Sequence, residues 1–202
     1  MERTSETRWY SRMLEKDSAA KLLNSCQKSS IIKQSMQEAE RQWLRVEKRF
    51  GKMTVLACFK ELGFRVEREE PEAMPSFLYM GMLDPGERVV RFNETVLGLG
   101  EAYLASRFGR DSEIYIRFRE IVAWHELYHC LEEETPGIYT RSAAVRTRLA
   151  GPFWRSRRVE AASEIGAVHF SKLAAGVSFC PYLYTQYLLA ATKQDMEVED
   201  EF

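Results

Sequence analysis

The chain has 202 residues, enough for one well-cored domain and short of what two domains with separate cores comfortably need. Apolar residues make up 45% and charged residues 29%, a balance that excludes a disordered or fibrous chain. The 29 basic and 30 acidic residues nearly cancel, which excludes a whole-molecule field for nucleic acid or an anionic membrane, and no such partner is expected.

From Met1 to Trp9 charge alternates with hydroxyl, without the apolar run of a secretory signal, so a cytoplasmic location is the default expectation. Apolar residues at spacings of three and four predict a helix over Thr7 to Leu23. After a break at Ser29 and Ser30, a longer helix is expected from Ser35 to Leu62, with Trp43, Val46, Phe50 and Leu56 along one side. Gly63 is placed to end it. Residues 1–62 thus read as an accessory helical region and 63–202 as the second part of one compact domain.

Phe64 to Val66 is a short strand and Glu67 to Pro75 a charged loop. Phe77 to Leu83 and Arg88 to Phe92 are strand-like, and Asp84-Pro85-Gly86-Glu87 between them suits a reversing turn, which gives an antiparallel hairpin. Its edge near Arg88 to Phe92 is expected to hold an extended substrate by backbone pairing.

Asn93 caps a helix or turn toward Phe108, and Gly109, Asp111 and Ser112 mark a fresh start. Strong helical periodicity then runs to Glu133 and stops at Thr135-Pro136-Gly137. Ile138 to Trp154 is looser; the Arg-rich stretch from Arg141 to Arg158 reads as a solvated loop before a contact for nucleic acid or an acidic partner. A helix is expected from Arg157 to Ala175, Pro181 opens another to Thr192, and the acidic tail from Glu197 frays. Leu173 to Ala191 is the most lipid-like stretch, but Pro181, Gln186 and its tyrosines argue against a membrane span. Cys26, Cys58, Cys130 and Cys180 form no Cys-x-x-Cys pair, and Cys130 reads as a buried thiol.

His125-Glu126-Leu127-Tyr128-His129 is an H-E-x-x-H motif inside a predicted helix. Residues four apart stack on one helical face, so both imidazoles can reach one tetrahedral zinc ion. Glu126 points beside the metal, where a general base must lie to take a proton from bound water. Phe118, Ile121 and Val122 make the preceding turns of that face apolar.

Zinc needs a third protein ligand, and Glu160 and Glu164 lie four apart on the next predicted helix. Glu160 is assigned to the metal, and Glu164 to holding a histidine ring by its second nitrogen, with the reverse left open. His169 is a rival ligand, but nine residues beyond Glu160 it lies on nearly the opposite side of the helix. Tyr128, Tyr139 and His169 are the candidates to stabilise an oxyanion.

Helix-borne HELYH followed by E-A-A-S-E-I resembles the glutamate-ligand zincins (gluzincins), in which a glutamate three residues before a small residue and four before an acidic one is the third ligand. The metzincin pattern needs glycine and histidine where this chain has Glu132 and Thr135. Within the glutamate class the sequence is similar to the ImmA/IrrE family of small cytoplasmic metallopeptidases. Arg88 to Asn93 resembles that family's edge strand, and Glu160 to Ala167 its third-ligand helix. The resemblance covers Phe77 to Ala174; the Arg-rich insertion and the helical first third depart from it. It implies an α+β, zincin-like fold, with a small antiparallel sheet packed on the HExxH helix, and a zinc metallopeptidase acting on a protein such as a repressor. A non-catalytic zinc-binding scaffold and an interaction module built on the N-terminal helices are the rival readings.

Overall fold

The computed structural model describes residues 2–70, 78–150 and 153–193. The tail expected to fray from Glu197, and parts of the expected loop Glu67 to Pro75 and strand Phe77 to Leu83, lie outside them. Helix α1, Glu2–Lys16, stops short of Leu23 because Asp17 Oδ1 accepts the N–H groups of Ala19 and Ala20 and turns the chain into a 3-10 turn at Ala20–Leu22. Asn24 and Gln27 then form a reciprocal capping box, which starts α2 at Ser25 and carries it through Ser29 and Ser30 to Phe50. Gly51, at φ +58°, ends it, and Thr54 caps a separate α3, Val55–Glu61. The single helix expected from Ser35 to Leu62 is therefore two.

Strands β1 (Arg65–Glu69), β2 (Gly81–Asp84) and β3 (Val89–Asn93) form one sheet in the order β1-β3-β2. The hairpin of β2 and β3 is antiparallel as expected, but β1 runs parallel to β3, so the sheet is mixed. Val89, Val90, Phe92 and Asn93 are buried, as suits a strand covered on both faces. With both edges of β3 already paired, the expectation that it holds a substrate is overturned; among the described strands the edge of β2 away from β3 is unpaired.

Asn93 caps α4, Glu94–Phe108, by accepting the Val96 N–H. Ser112 caps the short α5, Glu113–Ile116, and α6 follows over Phe118–Glu134. After α7 (Tyr139–Ser142), the stretch expected to be a loop is an antiparallel ribbon of β4 (Ala144–Ala150) and β5 (Phe153–Arg158). Helices α8 (Ala161–Ala175) and α9 (Tyr182–Lys193) complete the chain, and no described helix is long and apolar enough to cross a membrane.

Helix α8 lies between α2 and α6. Trp43, Trp124 and Phe170, one from each of the three, meet edge to face with ring centroids 6.1–6.2 Å apart. The N-terminal helices are therefore a wall of the shared core, whose buried residues extend from Trp9 to Tyr187. Helix α1 docks on α8 through Tyr10, whose hydroxyl donates to Glu6 (3.0 Å) and lies 3.1 Å from His169 Nδ1, and through Lys172, 3.2 Å from Glu6.

Burial works against charge on Glu6, but the hydrogen bond with His169 and the field of Lys172 prevail and hold its pKa at about 2. A carboxyl whose folded pKa lies below its unfolded value stabilises the fold fully above about pH 4.5 and loses that contribution as pH falls toward 2. Glu6→Gln should therefore cost about 2 kcal/mol at pH 7 in urea unfolding, with the gap to wild type closing between about pH 5 and 2. A gap constant across that range would mean that Glu6 acts through packing alone.

Candidate metal centre

The periodicity that makes α6 a helix puts His125 and His129 one turn apart on the face turned to α8, with their Nε2 atoms 3.2 Å from each other. Glu164 of α8 reaches across: its Oε2 is 3.4 Å from His125 Nε2 and its Oε1 is 3.7 Å from His129 Nε2. Ligand atoms of these three residues all lie within 4.8 Å of one another. Two donors each bonded at 2.0–2.1 Å to a tetrahedral ion sit about 3.3 Å apart, so the spacing fits a zinc-sized ion.

Of the two expected glutamates the structure brings Glu164, the alternative of the pair, to the imidazoles and leaves Glu160 away from them. Glu160 precedes the first turn of α8, largely exposed, and pairs with Arg158 at 3.3 Å. It lies one turn short of the imidazoles, because α8 crosses α6 at Ser163 and Gly166, which brings Glu164 to them. A methyl group on Gly166 would sit 2.6 Å from the Tyr128 hydroxyl, and this absence of a side chain sets the close approach.

Glu132, not Glu164, holds the histidine ring. Its Oε2 is 2.9 Å from His129 Nδ1 and accepts from Ser163 Oγ at 2.6 Å, while its Oε1 accepts from Thr140 Oγ1 at 2.5 Å. Burial opposes the charge on Glu132, yet these three hydrogen bonds keep its pKa low. With Nδ1 engaged, Nε2 is the His129 atom that faces the centre, and it carries the lone pair when the ring is neutral. Burial also disfavours the His129 imidazolium, but Glu132, Glu164 and Glu126 outweigh it and lift its pKa to about 9. Glu164 is likewise opposed by burial and pulled down to about 2 by His125 and His129. Three carboxylates facing two imidazoles call for positive charge, which a divalent cation would supply.

Glu126 is buried beside this group, and burial, only partly offset by the imidazoles, raises its pKa. Strand β2 crosses over it at Gly81, where a Cβ would lie 2.5 Å from Glu126 Cγ. The four side chains open into a cleft of about 810 Å³, with β2 on one wall and Tyr182 and Leu188 of α9 among the residues of another. None of the three expected oxyanion residues lines it. Tyr128 is fully buried with its hydroxyl 3.2 Å from Thr140 Oγ1, His169 faces α1, and Tyr139 lies outside the lining. Cys130 is buried, with its thiol pKa pushed up by burial, and is not part of the His-His-Glu group.

Sequence reasoning missed Glu132, Thr140, Ser163 and Gly81. Helical spacing was the one signal for Glu132, three residues after His129; nothing in the run Glu132 to Glu134 marks which carboxylate is buried. It also missed Asp17, whose Oδ2 accepts the Ala161 N–H at 2.9 Å and so caps α8 from 144 residues away. Glu160, at the usual capping position, makes no such bond. Compared with protein-family models, with curated proteins and with solved structures, the chain matches none. The chemistry of this centre therefore rests on its own residues.

Asp17→Ala removes the acceptor of three backbone N–H groups at once and should cost about 1–2 kcal/mol. A thermal melt should show this as a fall of about 3–6 °C, partly restored by Asp17→Asn. An unchanged melting temperature would mean that α8 needs no cap from α1.

Proposed function

We propose that the protein is a zinc-dependent metallopeptidase of the glutamate-ligand type, similar in plan to the ImmA/IrrE family, with His125, His129 and Glu164 as ligands and Glu126 as general base. What carries the reading is the conjunction of the His-His-Glu group with a buried carboxylate of raised pKa at the head of an open cleft. Two imidazoles and one carboxylate suit zinc. A closed structural site would need a fourth protein donor, and among the described residues the group offers three, which favours catalysis over a scaffold.

Zinc held there would supply a Lewis acid that polarises the substrate carbonyl and makes water acidic at neutral pH. Glu126 takes a proton from the attacking water and delivers it to the leaving amine; its burial suits a group that must accept and then release a proton. Glu132 keeps the His129 ring in one tautomer and orientation throughout. The edge of β2 over Glu126 aligns an extended peptide by backbone pairing. The family resemblance extends the proposal to a regulatory protease that cuts a cytoplasmic protein such as a repressor.

Zinc titration and proteolysis together test this. The wild type should bind about one zinc per chain, Glu164→Ala should lose it, and Glu160→Ala should keep it. Glu132→Gln should weaken zinc about 10–100-fold. Glu126→Gln should retain zinc while cleavage of unfolded protein substrates falls at least about 100-fold. Loss of zinc from Glu160→Ala but not from Glu164→Ala would return Glu160 to the ligand set, and cleavage unaffected by Glu126→Gln would end the peptidase reading.

A further inference from the structure

From Thr135 to Val159 the chain carries six arginines and no aspartate, glutamate or lysine, against a whole-chain net charge of −1. The fold gathers five of them, Arg146, Arg148, Arg155, Arg157 and Arg158, on the β4-β5 ribbon. We propose that this ribbon binds single-stranded nucleic acid, independently of the metal centre.

The register shows how. Side chains alternate along a strand, so Arg146 and its partner Ser156 share one face of the ribbon with Trp154, while Val145 and its partner Arg157 share the other. Val145 is buried, and Arg157 donates to Ser18 Oγ at 3.0 Å, so the second face is fixed to the body near its root. Arg146, Trp154 and Ser156 are exposed on the first face, with Trp154 at 63%. A tryptophan so exposed on a two-stranded ribbon contributes nothing to a core. It offers an aromatic platform on the face that carries Arg146, opposite the register position of Arg148.

That combination selects the partner. Guanidinium forks match phosphate oxygens in pairs, and an unpaired base can stack on the indole, whereas an acidic peptide presents carboxylates but no planar group to cover it. In a duplex the bases are already stacked on one another, which leaves the indole without a ring. Overall neutrality does not oppose this, because at physiological salt charges more than about 8 Å away are screened and the local arginines dominate. The whole-chain balance argues only against attraction at long range, and the ribbon supplies the local patch.

The test uses the full-length protein and fluorescein-labelled 15-mers of oligo-dT and oligo-rU in fluorescence anisotropy. Binding to one or both should be micromolar at 50 mM salt and weaken about 10–20-fold by 200 mM, as expected for about three phosphate contacts. Trp154→Ala should weaken it about 5–100-fold and Trp154→Phe much less. The double variant Arg146→Ala/Arg148→Ala, at the two arginine register positions on the Trp154 face of β4, should flatten the salt dependence by more than one unit of slope. Matching circular dichroism and melting temperatures establish that the variants are folded, and Glu126→Gln should bind as wild type does. The proposal is overturned by dissociation constants above about 100 µM at 50 mM salt, or by folded ribbon variants that bind as wild type does. It is equally overturned by tighter binding to a duplex that ignores Trp154→Ala, or by equal binding to a polyglutamate peptide.

Discussion

The approach of α8 to α6 at Gly166, with the Tyr128 ring where a side chain would otherwise stand, determines how far every residue on the two helices can reach. At this separation Ser163 touches Glu132, Glu132 holds His129, and Glu164 falls opposite both imidazoles. A longer separation would leave the carboxylate of α8 short of the histidines of α6. The aromatic cluster of Trp43, Trp124 and Phe170 fixes the same crossing from the other side, so the packing of the core and the geometry of the centre are one constraint.

Electrostatics reinforces this arrangement and also makes it demanding. Glu126, Glu132 and Glu164 surround His125 and His129, and each carboxylate has a different solution to being there. Glu132 is satisfied by three donors, Glu164 by the imidazoles, and Glu126 alone is left with its charge disfavoured by burial. Three groups of one chemical kind thus divide, Glu132 and Glu164 lowered and Glu126 raised, because their neighbours differ, as the proposed division between ligand support and proton transfer would require.

How much of this the sequence disclosed depends on how local each feature is. The H-E-x-x-H helix, the hairpin of β2 and β3, the Asn93 cap and the stop at Gly63 are set by residues a few positions apart, and each stands where the pattern put it. The end of α1 at Asp17 and the break at Gly51 were hidden by a continuous apolar period; one is decided by a side chain bonding to the backbone and the other by one left-handed residue. The choice between Glu160 and Glu164 was not legible at all. Both fit the same helical face, and only the point where two helices cross, decided by a glycine and a serine, separates them. The parallel partner of β3 and the ribbon in the Arg-rich stretch also depend on pairings between segments, which periodicity within one segment does not report.

The bond from Asp17 to the first turn of α8 has a bearing on how the molecule comes into being. Its two partners are 144 residues apart, and α8 also completes the walls built by α2 and α6. During synthesis the two imidazoles emerge before the carboxylate that faces them, and the helix bearing that carboxylate has its anchor waiting 144 residues earlier. A nascent chain paused anywhere before α8 presents the HELYH helix without its counterpart, so the proposed activity can arise only once α8 has been made. Long-range closure of this kind makes assembly slow relative to local helix formation.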